Sequence, residues 1–380
     1  MAGDTDRITV RKGWSFARDE GQAVAELAER IRQPRMDVVI FFCSSQYDLD
    51  RLGAELQRAF DCPLVGCTTA GEVTSDIGYR EGGIVGVSLS SPELAVHLRV
   101  IHPLNRFDPH QAEGLARGLR EELALPDGFR GERMFGLLLV DGLSMLEEQV
   151  IASLYNHLGS IPIIGGSAGD DLAFRETWVY RDGAFISNAA AFALFETTLP
   201  FRVFRVQHFE PTDTRLVITE ADVATRTVTE INGGPAAQEY AKAVGLEVED
   251  LTSQVFAAYP VMLRIGGEYF VRSIQKANPD GSLTFYCAID NGLVLTVAKG
   301  NGLLDNLRQN LDRLAQEMPE GKLIIGCDCI LRRLELQQKG GLEEAQRILE
   351  KANFIGFSTY GEQFNGIHVN QTLTGVAIGG

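Results

Sequence analysis

Four short apolar runs in this chain end in glycine and pass straight into a turn. They are PLVG before CTTAGEV (Pro63–Val73), PIIG before GSAGDD (Pro162–Asp171), KLIIG before CDC (Lys322–Cys329) and NFIG before FSTYGEQ (Asn353–Gln363). In three of them a small hydroxyl residue, a glycine and an acid follow within a few positions, and two spell G-x-[ST]-T-x-G-E. A strand that stops on glycine needs either positive φ or a backbone approached too closely for a Cβ, and the hydroxyls that follow satisfy turn amides. Any strand end has such needs. It is the shared order, with Glu72 and Glu362 as matching acids, that argues for a common site.

The elements around these turns alternate in type. Val38–Phe42 reads as a fully buried strand, Leu49, Leu52, Leu56 and Phe60 recur at helical spacing, and Pro63–Gly66 returns as a strand. Gly83–Leu89 and Leu94–His102 read as an antiparallel pair about SSPE. Asp108, Pro109 and Gln111 spell a capped helix start, and Ser144 with Glu147 spells a second capping box. Beyond Arg175 the pattern turns to hairpins, Pro235 opens a short helix closed by Gly245, and Leu304, Leu307, Leu311, Leu314 and Met318 mark a long amphipathic helix. The length and the glycine–proline break at Asn232–Pro235 divide the chain into domains 1–232 and 233–380. The expected class is α+β, two mixed α/β domains with largely antiparallel sheets flanked by helices.

Charge narrows the partners. Thirty-five basic against 51 acidic side chains give a net charge of -16, which repels phosphate backbones and anionic lipid, so nucleic acid is not an expected partner. No run approaches a membrane span and the start MAGDTDRITVRKGWSF lacks an apolar signal core, so a cytoplasmic protein without membrane insertion is expected. The six cysteines sit mostly in strand-like runs and are expected to be reduced.

GCTTAGEV, GGSAGDD, EINGGPAAQEY (Glu230–Tyr240) and the closing GFSTYGEQFNGIHVNQTLTGVAIG together resemble the signatures of the FIST family of bacterial signal-transduction sensors. The resemblance runs from about Val38 to the end and implies a FIST N-like sensory domain followed by a FIST C-like domain. It implies a non-enzymatic ligand sensor, in one version for an amino acid or another small molecule. The stand-alone arrangement is similar to the nitric-oxide-sensing NosP group. That similarity implies haem b, nitric oxide as ligand and a sensor histidine kinase as partner in two-component biofilm control, with homodimerisation left open.

A b-type haem needs one neutral imidazole in an apolar slot, and no C-x-x-C-H is present for covalent attachment. Of six histidines, His97 beside Arg99 and His110 in a helix first turn read as solvated. His208 continues the Phe204–Val206 strand face beside Phe209 and is the first choice for haem iron, with His102 and His157 as alternatives. His368 and Asn370 lie on the polar face of HVNQT and are assigned to a general ligand pocket, with Cys67, Thr68, Thr69, Glu72, Tyr360 and Glu362 of the turns. An enzymatic alternative is a hydrolase: GGSAG fits the nucleophile elbow around Ser167, but the residues that follow read as a hairpin where the elbow needs a helix. Cys327 and Cys329 share one strand face, and apolar packing is favoured over a metal site because no second ligand pair exists.

Overall fold

The computed structural model describes residues 7–124, 131–159 and 161–380. The first six residues of the start discussed above lie outside the described residues. Three times the chain makes a strand, crosses over through helix and returns as a parallel neighbour. Val38–Cys43 pairs with Leu64–Thr68 through the helix Leu49–Ala59, and Met134–Val140 pairs with Ile163–Ser167 through Glu147–Leu158. Gly321–Cys329 pairs with Phe354–Thr359 through the helices Ile330–Gln338 and Leu342–Glu350. Strands buried on both faces have no polar side to show, which is why VVIFFC and MFGLLLV are continuous apolar runs.

The glycines at the strand ends serve close approach. A Cβ on Gly165 would lie 1.9 Å from the Leu138 carbonyl oxygen, and one on Gly356 would lie 2.0 Å from that of Gly326, each the register partner on the parallel strand. On Gly66 it would meet the Phe41 ring at 2.5 Å.

Each parallel pair is extended on one side by an antiparallel strand and on the other by a hairpin that comes from a different pair. The hairpin Glu72–Thr74/Gly78–Arg80, which follows the first pair, adds to Phe354–Thr359 of the third. Val179–Arg181/Ala184–Ile186, which follows the second, adds to Leu64–Thr68 of the first. Glu362–Phe364/Ile367–Val369, which follows the third, adds to Ile163–Ser167 of the second. The exchange is cyclic, so no sheet is complete without another repeat. All three sheets face one core, in which Phe42 stacks on Phe357 with ring centres 4.5 Å apart.

These sheets belong to a first compact unit, Met1–Arg205 with Arg308–His368 and Leu373–Gly380. A second unit, Val206–Leu307 with Val369–Thr372, is an antiparallel sheet on the long strand Phe209–Asp222, packed on Tyr240 and Phe256. Pro235 precedes its helix Ala236–Val244, and Gly245 closes it in the left-handed region at φ 75°. The architecture is therefore mixed α/β with largely antiparallel sheets and helices, as the pattern indicated.

Three local expectations are corrected. Ile84–Ser90 and Leu94–Ile101 do not pair with each other: the first joins Thr9–Ser15 and Val38–Cys43, the second joins Ala190–Thr197. Alternation marks both as strands but carries no information about the partner. Ser144 and Glu147 form no capping box, because the helix begins at Glu147 itself and the Ser144 hydroxyl accepts from the Leu146 amide. His208 does not continue the strand Phe201–Val206; it lies in a break before Phe209. The capping box of Asp108 and Gln111 is formed.

Candidate functional site

The turns that follow the three parallel pairs are tied into a ring by backbone hydrogen bonds. From second to first, Gly169 N–H donates to the Thr68 carbonyl and Asp171 N–H to that of Thr69, both at 3.0 Å. Between second and third, Ser167 N–H donates to Gly361 O at 2.8 Å and Tyr360 N–H to Ser167 O at 3.3 Å. Between third and first, Ala70 N–H donates to Ser358 O at 2.9 Å and Ser358 N–H to Gly71 O at 2.7 Å. The twin stretches of the sequence, one from each predicted domain, thus meet in one compact unit. Gly71, at φ 126°, is the turn glycine whose conformation a side chain would strain.

Burial makes the polar side chains of this ring consequential. Thr69 Oγ1 donates to Glu72 Oε1 at 2.8 Å, and the Gly83 amide reaches Oε2 at 3.3 Å. Desolvation, reinforced by Asp171, still pushes the Glu72 carboxyl up to about 8. Glu362, its counterpart in the third turn, is also fully buried. Thr68 Oγ1 accepts from the Trp178 amide at 3.1 Å, and burial raises the Cys67 thiol well above its ordinary range, which leaves it an inert core group.

The second turn carries the strained loop. Asp170 accepts the amides of Phe174, Arg175 and Glu176 at 2.9, 2.6 and 3.0 Å, and the Tyr360 hydroxyl donates to the same carboxylate. Asp171, Leu172 and Phe174 all stand at positive φ. Phe174, 45% exposed, stacks on the Tyr360 ring at 4.6 Å. Strain of this kind persists where surrounding bonds over-determine it, and it clusters at functional sites.

Sequence reasoning missed two arginines. Arg332, fully buried, donates from Nε to Asp328 at 2.7 Å, and Tyr79 donates to the other carboxylate oxygen at 2.5 Å. Arg333, also buried, donates to the Ala70 carbonyl at 2.7 Å and to Glu81 at 2.6 Å. A Cβ on Gly71 would overlap the Arg333 guanidinium at 2.0 Å, so the glycine admits the arginine to the ring. The signal that was available is the aspartate of C-D-C four residues before Arg332 at the start of a helix.

Ser167 is fully buried, its hydroxyl accepts from Gln363 Nε2 at 3.2 Å, and Gln363 Oε1 lies 3.3 Å from His368 Nδ1. The next regular element is the strand Val179–Arg181. Thr68, Thr69, Glu72, Tyr360, Glu362 and His368 therefore all lie in the first unit at or beside the ring. Asn370 belongs to the second unit, where its side-chain oxygen accepts the Ser273 amide at 3.3 Å.

Of the haem-ligand candidates, His102 is exposed. His157 is half-buried in a cleft lined by Arg117, Arg120, Glu113 and Glu121, which is the wrong chemistry for a porphyrin face. His208 is 2% exposed and its ring lies 4.1 Å from that of Phe209, which packs with Met262, Val271 and Ala298. A Cβ on Gly300 would stand 3.6 Å from His208 Cδ2 and 3.8 Å from Nε2, so that ring edge has room for a methyl group. Of the three candidates His208 is the one with apolar company. Phe204 lies in the first unit, with its ring tip 2.8 Å from where a Cβ on Gly375 would stand. Among the described residues no group of three or more His, Cys, Asp or Glu side chains could hold a metal ion, and no helix is long and apolar enough to cross a membrane.

Three interlocked strand–helix–strand repeats with a hairpin-rich second unit define a two-unit architecture, and comparison gives its family. Residues 37–234 match the FIST N domain and residues 236–365 the FIST C domain. The chain belongs to the FIST family, whose domains carry sensory and signal-transduction roles and bind small ligands. It is 24% identical to the uncharacterized protein MJ1623 of Methanocaldococcus jannaschii over 405 aligned positions, covering 92% of this chain and 75% of that protein. A solved chorismatase aligns over 98% of both chains at 8% identity with a TM-score of 0.36, a likeness too low to carry any argument.

Proposed function

We propose that this chain senses a small zwitterionic or anionic molecule, of the size of an amino acid, at the turn ring of its first unit, and that binding changes the activity of a partner histidine kinase. What supports the reading is a set of polar atoms around the first turn that have no hydrogen-bond partner among the described residues: Arg333 Nε, Ser358 Oγ and Asp171 Oδ1. Each residue is bonded to the backbone of residues 69–71, so the three surround one turn. An orphaned buried donor costs about 1–3 kcal/mol, and a ligand carboxylate on Arg333 with an ammonium on Asp171 would recover it. Binding would shift the population of two conformers by its differential affinity for them.

Calorimetric titration of the full chain with the proteinogenic amino acids and small dicarboxylates tests this. One or more should bind saturably, with Arg333→Met weakening the affinity by about a hundredfold, the value of a charge-assisted pair. Absence of saturable binding across the panel, or binding unaffected by Arg333→Met, rejects the site. Autophosphorylation of the kinase encoded nearest to this chain, measured with and without ligand, reports the output.

A second reading rests on His208, the candidate that is buried in apolar company: haem b on that imidazole, with nitric oxide as the sensed ligand. When bound, haem would supply an iron that takes the gas, and His208 would hold it from one side. The absorption spectrum after haem loading, before and after nitric oxide, decides it: a Soret band lost or shifted in His208→Ala supports haem. A spectrum with no Soret band, or one indifferent to the substitution, removes His208.

A further inference from the structure

A cavity of about 250 Å³ opens in the first unit beneath the helix Leu303–Glu317, away from the ring of turns. Leu311, Leu314 and Met318 of that helix form one wall, Ile348 of the helix Leu342–Glu350 a second, and Leu323 and Ile324 of the strand Gly321–Cys329 the floor. Leu311, Leu314, Met318, Ile324 and Ile348 each retain between 6% and 8% exposure. Five core-type side chains with the same small residual exposure, all lining one space, give it an apolar wall that reaches solvent.

The lip differs in chemistry from the interior. Arg308 is paired with Glu344, so its charge is already answered. Lys351, exposed on the lip, makes no ion pair or side-chain hydrogen bond among the described residues. Asn353 donates its amide NH2 to the Lys322 carbonyl, which leaves its side-chain oxygen as an acceptor. Lys351 has no ion partner among the described residues and Asp312 also lines the cavity, so the lip suits at most a single negative charge, and a phosphate dianion would find too little positive charge there.

We propose that this cavity binds a monocarboxylate with an unbranched apolar tail, a medium-chain fatty acid, with the tail among Leu311, Leu314, Met318 and Ile348 and the carboxylate on Lys351. A concavity with an apolar wall and a few placed polar groups at its mouth is the usual construction of a small-ligand site. The division between the two units falls between Leu307 and Arg308, inside the helix that roofs the cavity. The site is independent of the turn ring, and its test is separate from that reading.

The experiment is calorimetric titration of the full chain with octanoate below its micelle concentration, with 1-octanol as the uncharged control. Octanoate should bind saturably at one site. Lys351→Met should weaken octanoate about tenfold, the loss of one ion pair at a partly apolar lip, and leave octanol unchanged. Ala315→Phe, at an exposed helix position lining the mouth, should abolish both. Both substitutions sit at exposed positions, so unchanged thermal melting separates lost binding from lost folding. Octanoate that fails to bind the unaltered chain, or binds Ala315→Phe or Lys351→Met as tightly, overturns the proposal.

Discussion

The Glu72 carboxyl, held at about 8 by burial and by Asp171 against an ordinary value of 4.5, ties the stability of the turn ring to pH. The folded chain binds this proton more tightly than the unfolded one, so the contribution is fully present below pH 4.5 and is lost as pH rises through 8. Stability should fall across that window by up to about 1.4 kcal/mol per pH unit for one proton. Glu72→Gln keeps an acceptor for Thr69 and should flatten the curve. Urea midpoints of both proteins from pH 5 to pH 9 check it, and parallel curves would refute it. Asp170 acts through geometry: three loop amides and the Tyr360 hydroxyl end on its carboxylate. Asp170→Ala should destabilise the loop by about 3 kcal/mol and Tyr360→Phe by about 1 kcal/mol. Amide hydrogen exchange at Phe174, Arg175 and Glu176 reads both, and unchanged protection in Asp170→Ala would show that the strain is held elsewhere. At this scale the sequence displayed Glu72 and Glu362 as matched acids, because motif order survives in a string. It concealed Arg333, whose role depends on Gly71 being far away in the chain and adjacent in space.

Among elements, glycine divides into two uses that stability measurements can separate. Gly356 faces the Gly326 carbonyl across the parallel register, and the atoms a methyl group there would meet first are backbone, at 2.0 and 2.8 Å. Gly356→Ala should cost about 3 kcal/mol through overpacking. Gly118 sits inside the helix Pro109–Glu122 with nothing within 4 Å of a Cβ, so Gly118→Ala should add about 1 kcal/mol. Urea midpoints moving in opposite directions are the expected result. Strand existence was legible here, since VVIFFC and FGLLLV are continuous apolar runs and PLVG, PIIG and NFIG are short apolar runs that stop on glycine. Strand partnership was not: Ile84–Ser90 and Leu94–Ile101 have the same alternation and an inviting SSPE turn, yet join different sheets. Nor does local sequence show that a hairpin leaves its own pair, because a hairpin edge hydrogen-bonds equally well to any strand of suitable twist.

For the whole molecule, the cyclic exchange has a consequence for cutting the chain. The break at Asn232–Pro235 separates the two family segments in sequence, but residues after it supply Gly321–Cys329 and Phe354–Thr359, the third parallel pair of the first unit. A fragment ending at Asn232 leaves the hairpin Glu72–Arg80 without Phe354–Thr359 and the strand Ile163–Ser167 without Glu362–Phe364. It also exposes the face of Phe42 that Phe357 covers and opens two edges of unpaired backbone groups. Those losses involve a shared core, and the net stability of a folded domain is only about 5–15 kcal/mol. The fragment should therefore lack a cooperative urea transition and should self-associate. Adding residues 233–380 as a separate chain should restore the transition, because the exchanged hairpins need only be present, not covalently continuous. Sedimentation and urea denaturation of the fragment alone and of the mixture give the answer. A monomeric fragment with a sharp transition of its own would mean that the first two repeats close without the third.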